Sequence, residues 1–166
     1  MNDHAFLIEQ NSYKPVDPPP HLISAYVEGH RVLPPNTPFP GFWENSRTPY
    51  LVEIMDNMSP YSPTIITTVM KGAQLGVTAA AENVMGYWMD ANPSEILYVS
   101  ATDGLLEKWA TKRLEPLIDS IGMRPKISVQ VDINAKSRRT GDKMYSKAYV
   151  GGNLDMASAQ SASMPL

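Results

Sequence analysis

The stretch Thr64-Ile65-Ile66-Thr67-Thr68-Val69-Met70-Lys71-Gly72-Ala73-Gln74-Leu75-Gly76-Val77-Thr78 decides the fold class of this chain. Its first half is rich in β-branched and apolar residues, which predicts a strand over residues 65–70. A loop with two glycines follows, and the alanine-rich run after it favours a helix over residues 78–90. A strand, a glycine-bearing loop and a helix in this order form the layout of a phosphate-binding P-loop.

The loop departs from the P-loop pattern G-x-x-x-x-G-K-[ST] at two positions. Gly76 and Thr78 occupy the second glycine and the hydroxyl position of the pattern. Lys71 stands where the first glycine is usual, and Val77 stands where the lysine is usual. Lys71 is then the only side chain of the loop that can bring a positive charge to the β- and γ-phosphates. The alternative is an ordinary strand–turn–helix with a buried Val77 and a solvated Lys71, and the loop alone leaves both interpretations open.

The chemistry of phosphate binding explains why such a loop has this composition. Successive backbone N–H groups in a tight turn attract anions, and a helix N-terminus adds about half a positive charge. Gly72 and Gly76 allow the backbone to turn tightly and to approach phosphate oxygens. The hydroxyl of Thr78 is a candidate ligand of Mg²⁺. The predicted nucleotide-binding residues are Lys71, Gly72, Ala73, Gln74, Leu75, Gly76, Val77 and Thr78.

Composition limits the class of protein. A chain of 166 residues with 43% hydrophobic and 19% charged residues is long and apolar enough to fold as one domain or part of one. Its net charge of -3 provides no overall attraction for DNA, and the lack of cysteine excludes disulfides and thiolate metal sites. No apolar run approaches the roughly 20 residues of a membrane span, and the N-terminus lacks the pattern of a signal peptide. These features predict a soluble, cytoplasmic protein.

Proline placement predicts two parts of the chain. Eight of the 15 prolines lie in the first quarter, at Pro15, Pro18, Pro19, Pro20, Pro34, Pro35, Pro38 and Pro40. This density favours an extended proline-rich arm over residues 1–45, with a short helix near residues 22–30. Phe39, Phe42 and Trp43 suggest that the end of the arm packs on this domain or on a neighbouring subunit. Residues 46–166 are predicted to form the N-terminal part of an incomplete P-loop domain.

After the arm, the pattern alternates between strands and helices. A helix is predicted to begin at Ser46 or Thr48 before Pro49, with an apolar face formed by Leu51, Ile54, Met55 and Met58. Further elements are a strand at 95–100 buried on both faces, a helix at 103–121, strands at 126–133 and 143–150, and a Gly151-Gly152 turn leading into 153–159. The helix at 103–121 is predicted to bury Leu105, Trp109, Leu114, Leu117 and Ile118. Crossover helices between strands predict an α/β fold in three layers around a mostly parallel, P-loop-type sheet.

Several segments then share one order and spacing with a known family. They are Ser46-Arg47-Thr48-Pro49-Tyr50-Leu51, the loop 70–78, Ile96-Leu-Tyr-Val-Ser-Ala-Thr102, Trp109-x-x-x-Arg113-Leu-x-Pro116 and Gly151-Gly152-Asn153-Leu154. Over residues 25–166 the chain resembles the N-terminal ATPase region of phage terminase large subunits, the GpA-like branch. The loop of that family typically reads K-G-A-Q-x-G-K-[ST]. This sequence keeps the leading lysine as Lys71, on which some members of the wider group likewise rely.

The resemblance implies roles for residues outside the loop. Arg47 and Tyr50 stand where terminases place adenine-contacting residues, so Tyr50 is expected to stack on the base and Arg47 to contact base or phosphate. Alternatively, Pro49 and Tyr50 only cap the helix that they open. Ser100 and Thr102 correspond to a helicase-like motif near DNA or the nucleotide, although a helix cap is the ordinary interpretation. Asp103 would serve equally well as that cap.

Two groups of basic residues are candidates for contact with DNA. Lys108, Lys112 and Arg113 alternate with Glu107 and Glu115, and a solvated helix face is the default interpretation. Lys136, Arg138, Arg139 and Lys143 form the densest basic cluster, in a loop with small polar residues. That loop either contacts DNA phosphates without reading sequence or is a mobile, solvated segment.

The acidic strand end that an ATP-hydrolysing motor requires, an apolar run followed by Asp-Glu, does not follow the loop. Leu154-Asp155-Met156 comes nearest, but no glutamate adjoins Asp155. In the family, this strand would begin about where the chain stops. We therefore expect the chain alone to lack turnover and to lack the nuclease domain that makes large terminases endonucleases.

The resemblance implies the ATP-binding portion of a viral motor that packages double-stranded DNA. Its cofactors would be ATP and Mg²⁺. Its partners would be double-stranded DNA, the terminase small subunit, the portal or procapsid and further copies of itself, in the host cytoplasm and without membrane contact. One alternative is a degenerate prophage remnant that acts only as an interaction domain, and another is a different helicase-like P-loop ATPase. Nucleotide binding with Mg²⁺ dependence separates the motor from the interaction domain.

Overall fold

The computed structural model describes residues 21–127 and 142–160. The helices are α1 (Ile23–His30), α2 (Tyr50–Asp56), α3 (Val77–Asp90), α4 (Asp103–Trp109) and α5 (Glu115–Ser120). The strands are β1 (Val32–Leu33), β2 (Gly41–Phe42), β3 (Ile96–Ser100), β4 (Asp142–Lys143), β5 (Ser146–Tyr149) and β6 (Gly152–Ser158). A π-helical segment, Ala110–Leu114, joins α4 to α5, and 3₁₀ turns cover Asn45–Arg47 and Arg124–Lys126. The fold class is α/β, as the sequence predicts.

The main sheet has the strand order β3-β6-β5-β4 and is mixed. β3 and β6 run parallel, with Ile96 opposite Leu154 and Ser100 opposite Ser158. β5 pairs antiparallel with both β6 and β4, and β1 and β2 form a separate antiparallel pair. The prediction of a mostly parallel sheet is wrong for these four strands. Tight turns connect β4 to β5 and β5 to β6, and a tight turn can join only antiparallel neighbours.

The turn at Gly151 and Gly152 fixes β6 against the rest of the sheet. Gly151 has a φ of +91°, in the region that side chains rarely adopt. A Cβ on Gly152 would lie 2.2 Å from the carbonyl oxygen of Ser94, so a side chain does not fit there. After the turn the chain forms β6, Gly152–Ser158, which agrees with the turn into residues 153–159 that the sequence predicts.

Of two further predicted strands, one is interrupted in the structure and the other lies mostly outside the described residues. The strand predicted over residues 143–150 is interrupted at Met144 and Tyr145, where the chain turns from β4 into β5. The pairing of Lys143 with Ser146 closes this turn into a hairpin. The strand predicted over residues 126–133 lies mostly outside the described residues.

Two hydrophobic clusters form the core, and α3 contributes to both. The first cluster joins α1, α2 and α3, and its buried members are Ile23, Tyr26, Val27, Trp43, Leu51, Met55, Ala80 and Tyr87. The second joins α3 to α4, α5 and the sheet, with buried members that include Met85, Met89, Leu106, Trp109, Leu114, Leu117, Ile118, Met123 and Leu154. Full burial of one such aliphatic side chain stabilises the fold by about 1.5–3 kcal/mol.

The short helix α1, predicted near residues 22–30, is confirmed and packs on α2 and α3. Its N-terminus has no cap within the helix itself. Instead, the carboxylate of Asp56 accepts hydrogen bonds from the backbone N–H of Ser24 at 2.9 Å and from its hydroxyl at 2.8 Å. The hydroxyl of Ser59 accepts a further bond from the backbone N–H of Ile23 at 3.1 Å. These bonds tie α1 to Asp56, the last residue of α2, and to Ser59, which follows it.

The apolar face predicted for the next helix is confirmed in α2, which begins after Pro49. Leu51 and Met55 are buried, and Ile54 and Met58 pack against the same cluster.

The predicted helix over residues 103–121 is confirmed as the continuous run of α4, the π segment and α5. Thr102 caps it, since its hydroxyl accepts a bond from the backbone N–H of Leu105 at 3.3 Å. Trp109 stacks on Tyr98 of β3 with ring centroids 3.9 Å apart, which fixes the helix to the sheet. The prediction that Leu105 is buried is wrong. Its position in the first turn leaves 54% of the residue exposed.

The segment 65–70 is not a strand in the structure, contrary to the prediction. Ile65 is 95% exposed, Ile66 is 80% exposed and Met70 is fully exposed. A strand requires a partner for its backbone hydrogen bonds, and none of the described strands pairs with this segment. The prediction that residues 95–100 are buried on both faces is also wrong, because Leu97 and Val99 are about half exposed. One face of β3 packs on the core and the other does not.

Candidate functional site

A cavity of about 730 Å³ opens at the N-terminus of α3. Its walls come from the chain between β1 and α2, from the loop before α3, from the first turns of α3, and from the π segment with the start of α5. Six of the eight predicted loop residues line it, namely Lys71, Gln74, Leu75, Gly76, Val77 and Thr78. Gly72 and Ala73 belong to the same loop but do not line the cavity. Arg47 and Tyr50, the predicted adenine-binding residues, precede the loop by more than 20 positions and line the cavity as well.

The backbone of the loop turns through left-handed conformations at two positions, with φ of +59° at Gln74 and +75° at Gly76. A Cβ on Gly76 would also lie 3.2 Å from the Cδ1 atom of Leu51, so the loop sits close against α2. Gly72 has no positive φ and has room for a Cβ, 3.8 Å from Leu75 Cδ1. The expectation that both glycines permit the turn therefore applies to Gly76, while Gln74 takes the second left-handed position.

The first turn of α3 lines the cavity, and no side chain of the described residues caps its backbone N–H groups. Gly76 is the N-cap residue and forms no side-chain cap hydrogen bond. Thr78, the second residue of the helix, is exposed, and Val77 is half-buried against the first hydrophobic cluster. Lys71 is exposed, and its Nζ donates to the carbonyl oxygen of Gly72 at 3.3 Å. This arrangement offers N–H donors, a hydroxyl and an ammonium group to one ligand.

Arg47 and Tyr50 are held in the wall by contacts of different kinds. The hydroxyl of Tyr50 donates to the carbonyl oxygen of Leu75 at 3.2 Å, which ties the start of α2 to the loop. Arg47 forms a two-point ion pair with Glu44, with Nε to Oε2 at 2.9 Å and Nη2 to Oε1 at 2.6 Å. The guanidinium of Arg47 also lies 5.3 Å from the ring centroid of Phe39. An aromatic side chain and a planar cation therefore stand beside the loop.

The cavity is electropositive although the whole chain carries a net charge of -3. Five cationic side chains line it, from Arg31, Arg47, Lys71, Lys112 and Arg113, against two carboxylates, from Glu44 and Glu82. A surplus of three positive charges in a recess attracts anionic ligands.

Three of these charges form a partly buried cluster on the inner wall. Glu82 of α3 pairs with Arg113 through Oε1 and Nε at 2.7 Å, and with Arg31 through Oε2 and Nη2 at 3.4 Å. Burial lowers the pKa of the Arg31 guanidinium; the charge of Glu82 opposes this shift and that of Arg113 adds to it. Arg31 also donates to the hydroxyl of Ser120 at 2.5 Å. Its Nε atom is buried and has no hydrogen-bond partner among the described residues.

The other predicted site residues do not join this cavity. Ser100 ends β3, and its carbonyl oxygen accepts a bond from the backbone N–H of Ala159 at 2.8 Å. Thr102 caps α4, which agrees with the ordinary interpretation of that residue. The basic residues Lys136, Arg138 and Arg139 lie outside the described residues.

Sequence reasoning missed the inner wall of the cavity. Lys112 and Arg113 are exposed, as the interpretation of a solvated helix face predicts, but they also line the cavity, and Arg113 pairs with the buried carboxylate of Glu82. A glutamate at position 82, one turn after Thr78 and directly after three alanines, was the available signal. Its partners Arg31 and Arg113 are 51 and 31 positions away, so spacing alone could not indicate them.

Within residues 21–127 and 142–160, no three His, Asp or Glu side chains come close enough to form a metal site. Over the same residues, no helix has the length and apolar character needed to cross a membrane.

Fold and cavity together define an α/β domain with an electropositive cavity at the N-terminus of α3. A family model described as phage terminase large subunit gpA, ATPase domain, matches residues 37–164. The chain belongs to this family. At the level of the family, this membership indicates an ATPase role in a phage terminase. No curated protein and no solved structure matches the chain.

Proposed function

We propose that the cavity binds ATP with Mg²⁺ and that the chain is the ATP-binding portion of a motor that packages double-stranded DNA into phage capsids. The observation that carries this proposal is the convergence of Lys71, Thr78, Arg47 and Tyr50 on one electropositive cavity at the N-terminus of α3. Membership in the family supports the same function.

The proposed roles follow from the chemistry of each group. The Lys71 ammonium pairs with the β- and γ-phosphates, and the backbone N–H groups of Gly72 to Val77 donate to phosphate oxygens. Lys71 reaches only a backbone carbonyl in the described residues, so a phosphate replaces a weak contact. The Thr78 hydroxyl lies at the second helical position, where it contributes a ligand to Mg²⁺.

Arg47 and Tyr50 are proposed to bind the adenine end. Tyr50 is about half exposed and its hydroxyl is already bonded to the loop, which leaves a ring face for stacking on the base. Arg47 is held by Glu44, so its guanidinium presents a fixed plane to the base or to a phosphate.

Hydrolysis and translocation are proposed for the assembled motor. A P-loop motor requires an acidic pair after an apolar strand, and this sequence holds no adjacent Asp-Glu. The residues of this chain are therefore proposed to contribute binding of ATP rather than the catalytic carboxylate, and nuclease activity is proposed only for the family.

The finer architecture and the partners are also proposals. The proposed division is a proline-rich arm over residues 1–45, of which α1 and Trp43 pack in the first hydrophobic cluster, and part of a three-layer P-loop domain over residues 46–166. Ser100 and Thr102 would couple ATP to DNA, and Lys136, Arg138 and Arg139 would contact DNA phosphates. Double-stranded DNA, the terminase small subunit, the portal or procapsid and further copies of the chain would be partners in the host cytoplasm.

Calorimetric titration with ATP, with and without Mg²⁺, tests the proposal on the wild-type chain and on Lys71→Ala. Loss of a charge-assisted phosphate contact costs about 1.5–3 kcal/mol, so the variant should bind at least tenfold more weakly. Lys108→Ala is the matched control, because Lys108 is an exposed lysine of α4 outside the cavity and its removal should leave binding unchanged.

A second candidate function is that of an interaction domain that does not bind nucleotide. Val77 at the usual lysine position and the exposed apolar side chains of Ile65, Ile66 and Met70 favour it. A folded wild-type chain that shows no heat of binding with ATP would support this alternative and reject the ATP site.

A further inference from the structure

The cluster of Arg31, Glu82 and Arg113 has one accessible member. The side chains of Arg31 and Glu82 are 4% and 3% exposed, whereas that of Arg113 is 44% exposed. Glu82 engages only the Nε atom of Arg113. Arg113 lines the cavity, and its two terminal amino groups form no hydrogen bond with the described part of the chain. Arg113 is thus fixed at one end and available at the other.

The position of Glu82 directs this arginine toward the loop. Glu82 lies one turn after Thr78 in α3, a rise of about 6 Å along the helix axis. Helical side chains lean toward the N-terminus, so the carboxylate extends toward the first turn of α3. The Arg113 Nε atom lies 2.7 Å from that carboxylate, and Arg113 lines the same cavity as Val77 and Thr78 of the first turn.

The backbone around Arg113 is unusual as well. Arg113 lies in the π-helical segment Ala110–Leu114, between two α-helices. π segments inside α-helices are rare and frequently occur at functional sites.

The cluster carries a net positive charge, whereas a simple structural ion pair is neutral. Two guanidinium groups share one carboxylate, and the buried Nε atom of Arg31 lacks a partner within the described residues. A buried cation without full hydrogen bonding is costly, so the cluster is not arranged for stability alone. An anionic ligand beside Arg113 would neutralise the surplus charge.

We propose that Arg113 contacts phosphate oxygens of the ligand and that buried Glu82, supported by Arg31, positions its guanidinium. The inference rests on the proposed nucleotide site and adds to it a specific phosphate contact from the π segment. The ligand chemistry is that of a polyphosphate, which an arginine fork binds through paired N–H donors.

Titration of Arg113→Gln with ATP and with inorganic tripolyphosphate, both with Mg²⁺, tests the contact. Loss of a charge-assisted phosphate contact should weaken binding of both ligands about tenfold or more. The affinity of Arg113→Gln for adenosine, measured by NMR titration, should stay within about twofold of the wild-type affinity, because adenosine carries no phosphate. Arg124→Gln is the matched control, since Arg124 is a surface arginine that pairs with Glu115 and Asp119 outside the cavity. Its affinities should not change.

Glu82→Gln distinguishes positioning from simple electrostatics by the direction of its effect. Removal of a negative charge from the cavity wall should tighten binding of an anion if Glu82 acts only through its charge. If Glu82 positions Arg113, binding of ATP and tripolyphosphate should weaken instead. Arg113→Lys keeps the positive charge but not the planar fork of N–H donors, so it should bind tripolyphosphate more weakly than wild type. This variant replaces Arg113→Gln in the test if Arg113→Gln does not fold.

The outcomes separate this inference from the proposed function. Equal ATP affinity of wild type and Arg113→Gln would overturn the role of Arg113 and leave the nucleotide site standing. Equal weakening of adenosine and tripolyphosphate would also overturn it, because it would indicate general disturbance of the site. Absence of ATP binding by the folded wild-type chain would overturn both.

Discussion

Two glycine-bearing turns of this chain differ in what surrounds them. The loop 71–76 is exposed along most of its length and borders the cavity. The turn at Gly151 and Gly152 is closed in by Pro93 and Ser94, whose atoms stand within 3 Å of where a Cβ would be. Gly76 permits a left-handed backbone at the edge of the cavity, whereas Gly152 permits close packing of the turn against Ser94.

The difference shows that the same residue type carries two separable signals. At Gly76 the left-handed backbone and the nearby cavity indicate a place where a ligand approaches the main chain. At Gly152 the nearest atoms belong to the chain itself, so no ligand is needed to explain the residue. Substitution at each turn should therefore affect different properties.

Gly152→Ala should cause the largest loss of stability. Its Cβ would fall 2.2 Å from the carbonyl oxygen of Ser94 and 2.8 Å from Tyr149 Cε2, so β6 or the Ser94 segment must move. We expect the free energy of unfolding to fall by about 3 kcal/mol, measured by urea denaturation followed by tryptophan fluorescence.

Gly104→Ala is the control for that change. Gly104 lies in the first turn of α4 with no atom within 4 Å of an added Cβ, and its φ is not positive. Alanine there should stabilise the chain by about 0.4–1 kcal/mol. Equal stability of the two variants would contradict the packing role of the turn.

Gly76→Ala should lose less stability but should affect the ligand. A side chain at a φ of +75° costs about 1–2 kcal/mol, and the Leu51 side chain must shift slightly. At a temperature where both variants are folded, ATP affinity should fall in Gly76→Ala and stay unchanged in Gly152→Ala. Gly72→Ala, with room for its Cβ, should lose little stability. If Gly76→Ala bound ATP as wild type does, the loop would not be the phosphate site.

Tyr149→Phe should cause the smallest loss of stability at neutral pH. It should also change how stability depends on pH in the alkaline range. The Tyr149 hydroxyl donates to Ser94 at 2.7 Å, and its loss should cost about 1 kcal/mol at pH 7. Burial, followed by the charge of Glu95, raises the pKa of Tyr149 to about 12, against about 10 in the unfolded chain. Between these values the unfolded state holds fewer protons, so wild-type stability should decrease as pH rises from 10 to 12.

The phenylalanine variant should show a smaller decrease over that interval. The decrease should not vanish, because burial also raises the pKa values of Tyr26, Tyr87 and Tyr98. Denaturation midpoints measured in steps from pH 9 to 12 give the comparison. Identical slopes would show that the Tyr149 hydroxyl does not titrate with folding.

Local signals in the sequence predicted the elements that local chemistry determines. The alanine-rich run after Gly76 forms α3, Pro49 precedes α2, and the Gly151-Gly152 turn leads into β6. In each case the residues that set the backbone conformation are neighbours in the chain. The short helix α1 within the proline-rich region was also predictable, because its apolar residues repeat at helical spacing.

Elements that depend on a partner were not predictable in the same way. Residues 65–70 have high strand propensity, yet no described strand pairs with them. The direction of β5 is set by the tight turns on either side, which the alternation of helices and strands earlier in the chain does not reveal.

The candidate site was predicted in its outer parts and missed in its inner wall. A sequence motif indicated Lys71 to Thr78, and a family resemblance indicated Arg47 and Tyr50. Pairing of Glu82 with Arg31 and Arg113 arises only when α1, α3 and the π segment pack together. No short-range pattern encodes that meeting.

The position of α3 in both hydrophobic clusters has a thermodynamic consequence. Ala80 and Tyr87 pack in the first cluster, while Met85 and Met89 of the same helix pack in the second. Neither half of the core can lose its order without removing a wall from the other. The helix therefore couples the two halves into a single cooperative unit, so that binding at its N-terminus would protect backbone amides of β6, whose Leu154 packs in the second cluster, from hydrogen exchange.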